Sequence, residues 1–490
     1  MRRISLVQAG KMRLIQLTLV SFALAGCRVG PNYHPPAAPM APTFTGQGAL
    51  ASAAKQQAIA YSDWWKVFHD PELDTLELEA DAANRDIKVA IAHVDEATAA
   101  AGSARSYLFP TISAQPQVSR TRESLNRPNN GNTEGRAATY NDIQLPLVMN
   151  YEIDAWGRVR RTVEAARATQ QASEADLRFV RLATEAMVAI DYYQLRESDQ
   201  ELRVIESMVN DLQQSVTLTQ SLFEHGLTSD LEVAQAKTLL DDTNASEQSL
   251  MTQRDQLQHA LAVLLGTTPE SLTLPSQPNN PEPPAIPVGL PSDLLERRPD
   301  IAEADRNVAA ATARIGIAKA AYFPQLSLTA FTGYESSNPT TLVNWQNTIA
   351  SLGASAVAPI FTGGRLKAGV DQAQAAYREF LAQYEKTVLV SYQEVEDQLS
   401  ALHYLATQAQ FQNLAVQDAS REEKIATDRY TQGLVSYLDV VTAQQNVLFN
   451  ERTATQISGQ QLVASVVLIK ALGGGWEQIK TPAPSPLAHP

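Results

Sequence analysis

The stretch 364-GRLKAGVDQAQAAYREF-380 opens a run that continues to Leu472 with almost nothing in it to stop a helix. From Arg365 to Tyr430 there is no proline, and the only glycine is Gly369, close to the start. At 1.5 Å per residue, about 65 helical residues would span roughly 100 Å. That is several times the usual helix length and points to a coiled coil or helical tube rather than a globular core. The run turns at Gly433-Leu434 and resumes to Leu472-Gly473.

The same run occurs twice. Gly157-Arg158, Gly226-Leu227 and Leu265-Gly266 each precede their counterparts Gly364-Arg365, Gly433-Leu434 and Leu472-Gly473 by 207 positions. Further upstream, Asp86-Ile87 and Phe109-Pro110 precede Asp300-Ile301 and Phe323-Pro324 by 214. Five landmarks in register mark a tandem duplication, with seven extra residues in the first copy between Pro110 and Gly157.

Composition narrows the function. A net charge of −14, which includes four basic residues near the start (Arg2, Arg3, Lys11, Arg13), argues against nucleic acid as a partner. Aromatics make up only 7%, while Ala and Gln are abundant, which suits close helix–helix packing. The single cysteine, Cys27, excludes an internal disulfide.

In chain order, residues 1–26 combine a basic start with an interrupted apolar segment, Leu14 to Ala25, and are expected to be a signal peptide. Residues 27–60 begin at Cys27 and are rich in Pro and Ala, an extended tether. Residues 61–85 carry Trp64-Trp65 and Asp70-Pro71, expected to dock on the helical body as an aromatic anchor. The first repeat, 86–266, opens with a helix that Pro110 stops. Strands are predicted at about 109–120 and 141–152, where Ile143, Leu145, Leu147, Met149 and Tyr151 share one face. A long helical hairpin follows, with its tip at 224–229. A Pro-rich connector, 267–299, leads to the second repeat, 300–473, with strands at about 324–334 and 349–361 and a hairpin tip at 431–436. The tail 474–490 is expected to be flexible.

At each tip, Gly226 or Gly433 ends one helix, and Ser229 or Ser436 offers a cap for the next. Leu202, Ile205, Val209, Leu212, Val216, Thr219 and Phe223 form a packing seam at 3/4 spacing, and Val395, Leu399, Leu402, Ala406 and Ala409 a thinner one. The four strands have the length of transmembrane β-strands. Four cannot span a membrane alone, because an open sheet edge in lipid leaves backbone groups unpaired. Closure requires oligomerisation: eight strands leave a filled lumen, twelve an aqueous pore. A soluble sheet packed on the helices is the alternative.

No Gly-x-Ser-x-Gly, phosphate loop, His-Glu-x-x-His or metal-spaced Cys/His cluster is present, so no catalytic or metal-ligating set and no cofactor is expected. His225 lacks a second ligand at coordinating distance in sequence, and Asp63, His69 and Asp70 read as surface residues.

Leu24-Ala25-Gly26-Cys27 resembles the bacterial lipobox, which implies an N-acyl and S-diacylglycerol lipid on Cys27. Arg28 in place of Asp implies delivery to the outer membrane. Acyl chains contribute about 0.8 kcal/mol per buried CH₂, enough for several chains to anchor stably. Three further motifs resemble the outer-membrane efflux lipoproteins of the TolC family, NodT/OprM branch. They are Cys27-Arg28-Val29-Gly30-Pro31-Asn32-Tyr33, Trp64-Trp65 with Asp70-Pro71, and Leu290 to Ile301 with Arg297-Arg298-Pro299-Asp300. The resemblance implies a mostly α chain with a transmembrane β-barrel. A homotrimer would have twelve strands in the outer membrane and a helical barrel through the periplasm. It also implies a periplasmic adaptor meeting the tips around Gly226, Leu227, Gly433 and Leu434, an inner-membrane resistance-nodulation-division pump, and passive export of drugs or other amphiphiles. A periplasmic gate is implied as well, in which Tyr430 bonds to Glu232 and three copies of Asp439 form a constricting ring that attracts cations. The family's tip Arg is Val435 here, and a second acidic position is Thr442. Solvated tip charges are the plainer reading of Asp439 and Glu232. A type I secretion duct or a lipid-anchored scaffold without a pore are the competing functions.

Overall fold

The computed structural model describes residues 28–39, 44, 61–124, 139–277, 281–286 and 293–474. Cys27, the segment 1–26, most of the tether, the loop around Pro128-Asn132 and the tail beyond Gly474 lie outside them.

The duplication is exact in the helices. After α1 (Pro71–Ala83) come α2 (Arg85–Ser106), α3 (Arg158–Glu224) and α4 (Asp230–Leu264). A short α5 (Leu294–Arg297) precedes α6 (Pro299–Ala320), α7 (Arg365–Thr431) and α8 (Tyr437–Ala471). α3 and α7 have 67 residues each, α4 and α8 have 35, and α2 and α6 have 22. The chain forms two compact units, and α2, α3, α6 and α7 contribute residues to both.

The first unit holds the sheet: β1 (Thr111–Ala114), β2 (Gln117–Arg122), β3 (Thr139–Ile153), β4 (Gln325–Ser336) and β5 (Thr348–Val357). All pairing is antiparallel, in the order β1-β3-β4-β5, with β2 also on β3. The strand expected at about 109–120 is two pieces. Thr111 pairs with Asn150 and Gln117 with Gln144, so the register is unbroken across the gap and no residue bulges out. Pro116 stands opposite Leu145, next to Pro146, and neither proline has an N–H for the ladder. β4 and β5 also differ in extent from expectation: β5 ends at Val357, short of the predicted 361.

The register separates two faces. Ile112, Met149, Ala330 and Leu352 lie across one face, as do Ala114, Leu147, Thr332 and Ala350. Thr111, Asn150, Thr329 and Gly353 cross the other, and Glu152, Ser327 and Ser355 follow the same side. Below the sheet, Asp154 starts α3 by accepting from the Val159 and Arg160 amides at 3.0 and 2.9 Å.

The N-terminal segment threads into this unit. Val29 N–H donates to the Trp156 carbonyl at 3.1 Å, and the buried Arg161 guanidinium donates to Asn32 Oδ1 at 2.9 Å. Gly30, at φ 97°, passes so close to α6 that a Cβ there would lie 2.5 Å from Gly316 Cα. Tyr33 donates its hydroxyl to Asp305.

The second unit buries Trp64, Trp65 and Phe68. Trp64 Nε1 donates to Glu185 Oε2 at 2.8 Å, and Phe68 packs against Tyr193. Asp70 caps α1 through the Glu72 and Leu73 amides while accepting from Tyr192 Oη at 2.8 Å. Arg196, on α3, then ties in α1 and the segment after α4, donating to Glu72, Asp199 and the Pro275 carbonyl. The Arg-Arg-Pro-Asp motif is a second such knot. Arg298, 5% exposed, pairs with Asp300 and Glu394 and donates to the Ala471 carbonyl at the end of α8.

The first-copy seam is buried at Leu202, Ile205, Leu212 and Thr219 and half-buried at Val209 and Val216. Phe223, expected in the seam, is 40% exposed. The second stripe is buried only at Val395 and Leu399. Leu402 and Ala409 are half-buried and Ala406 is exposed, because no described residue fully covers that face.

Candidate gate at the helical tips

Both tips are built by the same local rule. Gly226 N–H donates to the Phe223 carbonyl and Leu227 N–H to Leu222, at 2.8 and 2.9 Å. Gly433 and Leu434 repeat this onto Tyr430 and Arg429. These paired bonds close a helix end whose next residue must be left-handed, and Gly226 and Gly433 have φ of 72° and 73°. Leu227 and Leu434 follow directly and are 73% and 62% exposed, although both are large and apolar.

The helices that leave the tips start differently. Ser436 and Asp439 close a capping box on α8: Asp439 Oδ2 accepts from the Ser436 amide at 3.0 Å and from its hydroxyl at 2.9 Å. Ser229 sits at the same place before α4 but makes no side-chain cap, contrary to expectation. Nor does the Glu232 carboxylate complete the box by accepting from the Ser229 amide. It turns instead to Tyr430, whose hydroxyl donates to Glu232 Oε2 at 2.7 Å. Phe223 stands at the position equivalent to Tyr430 and has no hydroxyl, so Asp439 has no such partner. Equivalent acids therefore do different work in the two copies.

Tyr430 packs edge-on against the buried Tyr437, with ring centroids 5.3 Å apart. Burial, followed by the hydrogen bond to Glu232, pushes the Tyr430 hydroxyl up to about 12, so it remains a donor throughout the neutral range. Met208, Leu212, Ala236 and Val440 form the apolar cluster on which this end of the helices rests.

Asp439 is exposed and lines a groove of about 390 Å³ with Asp418, Glu422, Arg421, Arg429 and Val435. The two arginines escaped the sequence reading. Their signal was there, since Arg421, Ile425 and Arg429 fall at i, i+4 and i+8 and share one helix face. Thr442, by contrast, turns its hydroxyl back to the Leu438 carbonyl.

Among the described residues no group of three or more acidic, His or Cys side chains is placed to hold a metal. No described helix is long and apolar enough to cross a membrane.

The profile of the family described as "Outer membrane efflux protein" matches residues 78–267 and 290–474. The "Probable efflux pump outer membrane protein TtgC" of Pseudomonas putida is 34% identical over 467 residues, covering 94% of this chain and 96% of that protein. The "Pyoverdine export outer membrane protein OpmQ" of Pseudomonas aeruginosa is 32% identical over 436 residues, covering 88% and 91%. The crystal structure of the Campylobacter jejuni CmeC outer membrane channel superposes with a TM-score of 0.87 at 26% identity, over 93% of this chain and 96% of that one. A duplicated chain with equal helical arms, a two-faced sheet and matches of this extent to both repeats belongs to the outer membrane efflux protein family, whose members are channels of the outer membrane.

Proposed function

We propose that three copies of this chain close into a twelve-stranded barrel, extended by a barrel of helices, and passively conduct small amphiphilic solutes outward for a tripartite pump. The sheet carries the reading. It has one apolar face, one polar face and, among the described residues, an unpaired edge on β1/β2 and on β5, so it is complete in lipid only when its edges meet those of other copies. The exposed Tyr404, Phe411, Leu414 and Ile425 on α7 supply an apolar surface for the same association.

In this reading the tips, led by Leu227 and Leu434, meet a periplasmic adaptor that couples the duct to an inner-membrane resistance-nodulation-division pump. The Tyr430–Glu232 bond holds each tip inward, and Asp439 from three chains forms an acidic constriction. Cys27 carries the lipid, two residues before Val29, whose N–H donates to the Trp156 carbonyl. The passage makes and breaks no covalent bond.

The test is planar-bilayer conductance of the purified, acylated protein, with its mass measured in the same detergent. Discrete openings from a trimer are expected. A monomer that never inserts would overturn the reading.

A further inference from the structure

The two faces of the sheet differ in charge as well as in polarity. Paired positions on the apolar face include two cations, Arg120 and Arg122, and no carboxylate. The opposite face has Asp142, Glu152 and Glu335 and no cation. Arg120 pairs with Asn141 and Arg122 with Thr139, on the same side as Val118 and Ile143. Both arginines are exposed, and neither guanidinium meets a carboxylate among the described residues. The nearest strand acid, Asp142, lies across the sheet, where it accepts from Gln144 at 2.8 Å.

Their height follows from the register. The four helices that flank the strands, α2, α3, α6 and α7, join the sheet at the end where Ile153 and Leu326 pair, so Arg120 and Arg122 lie at the far, extracellular end. Tyr334 is opposite Leu145, eight residues up β3 from Ile153, and Asn141 is twelve up. With a rise of about 3.4 Å and a tilt near 40°, Tyr334 stands roughly 20 Å above the lower rim and Arg120 roughly 30 Å. An apolar band of about 25 Å thus ends between them, with Tyr334 at its aromatic border and the arginines just beyond. A charge on the lipid side is costly at mid-membrane and nearly free at the interface, so this is the one level where the pair is at ease. Successive same-face residues are about 7 Å apart, close enough for two guanidinium forks to converge on one phosphate.

We propose that Arg120 and Arg122 clamp a phosphate of lipid A, the phosphorylated glycolipid of the outer leaflet, at the external rim of the barrel. The site rests on the channel reading above, because that reading sets which face meets lipid. It continues the lipid-facing apolar surface directly into a basic one, and complements an anion that this leaflet presents at that depth.

The test uses the full-length protein in phosphatidylethanolamine nanodiscs doped with bisphosphorylated lipid A, dephosphorylated lipid A or phosphatidylglycerol. Co-purifying lipid is counted by native mass spectrometry, and conductance is recorded from the same preparation. Enrichment of bisphosphorylated lipid A is expected, falling about tenfold in R120Q/R122Q and recovering in part in R120K/R122K. Equal enrichment in wild type and R120Q/R122Q would overturn the clamp, leaving the arginines as solvated strand-edge charges. Phosphatidylglycerol enriched as strongly as lipid A would overturn the glycolipid assignment. Loss of insertion and conductance in the wild type would instead remove the channel reading, and the site with it.

Discussion

Tyr430 on α7 donates its hydroxyl hydrogen to Glu232 Oε2 on α4 at 2.7 Å, joining the two hairpins at their tips. Tyr430→Phe installs what the first copy already has at Phe223 and deletes only that hydrogen bond. The loss is expected to be about 1–2 kcal/mol, since the pair is half-exposed. In single-channel records the open fraction should rise about tenfold. An unchanged open fraction would show that the bond does not hold the tip shut.

The pore wall should prefer cations. Asp142 and Glu335 lie on the polar face with no cation on the paired positions of that face, whereas Glu152 is matched by Arg158 at 2.6 Å. D142N/E335Q should therefore lower the cation-to-anion permeability ratio measured from reversal potentials in a salt gradient, while E152Q should change it less. Asp439→Ala tests the tip in the same way. If all of these leave the ratio alone, selectivity is set elsewhere.

Stability should fall as pH rises through neutrality. Burial, partly opposed by the Trp64 hydrogen bond and aided by Asp81, raises Glu185 from 4.5 to about 8. Burial and Glu185 likewise raise the fully buried Glu77 well above the carboxylate range. An acid whose pKa is raised on folding binds its proton more tightly when folded. Its favourable contribution is complete below about 4.5 and disappears as pH climbs to about 8. Thermal unfolding should therefore shift downward across that window in the wild type. In E185Q, which keeps an acceptor for Trp64, the profile should be flatter.

Arg298 ties the start of α6 to Glu394 on α7 and to the last carbonyl of α8. Arg298→Ala leaves Asp300 and Glu394 without their buried partner, a loss of about 3–5 kcal/mol. Urea unfolding should show it. Arg297→Ala, at the neighbouring and more exposed guanidinium, should cost far less.

Much of this was legible in the sequence because the landmarks are places where chemistry leaves little choice. Gly226 and Gly433 could be aligned by eye since a left-handed residue must end each helix there. The alternation in Ile143 to Tyr151 gave the faces of the sheet, and the register kept them. What could not be read needed the third dimension. Pro116 looks harmless within a strand until Pro146 is found beside it across the ladder. Ser229 promised a capping box, whose return bond Glu232 gives up for a residue 198 positions away. The second stripe looked like a core seam because sequence spacing cannot distinguish a face buried within one chain from one left for another. Arg421 and Arg429 joined Asp439 only once α7 and α8 lay side by side.

The equal arms, 67 residues in α3 and α7 and 35 in α4 and α8, restrict how such a chain can change its length in evolution. One helical turn inserted into α3 and α4 alone would advance that tip by about 5.4 Å. Tyr430 and Glu232, now 2.7 Å apart, would lose touch. A longer or shorter duct is therefore reached only by paired insertions or deletions, one in each copy and of the same size, so the two halves of the gene must drift in step.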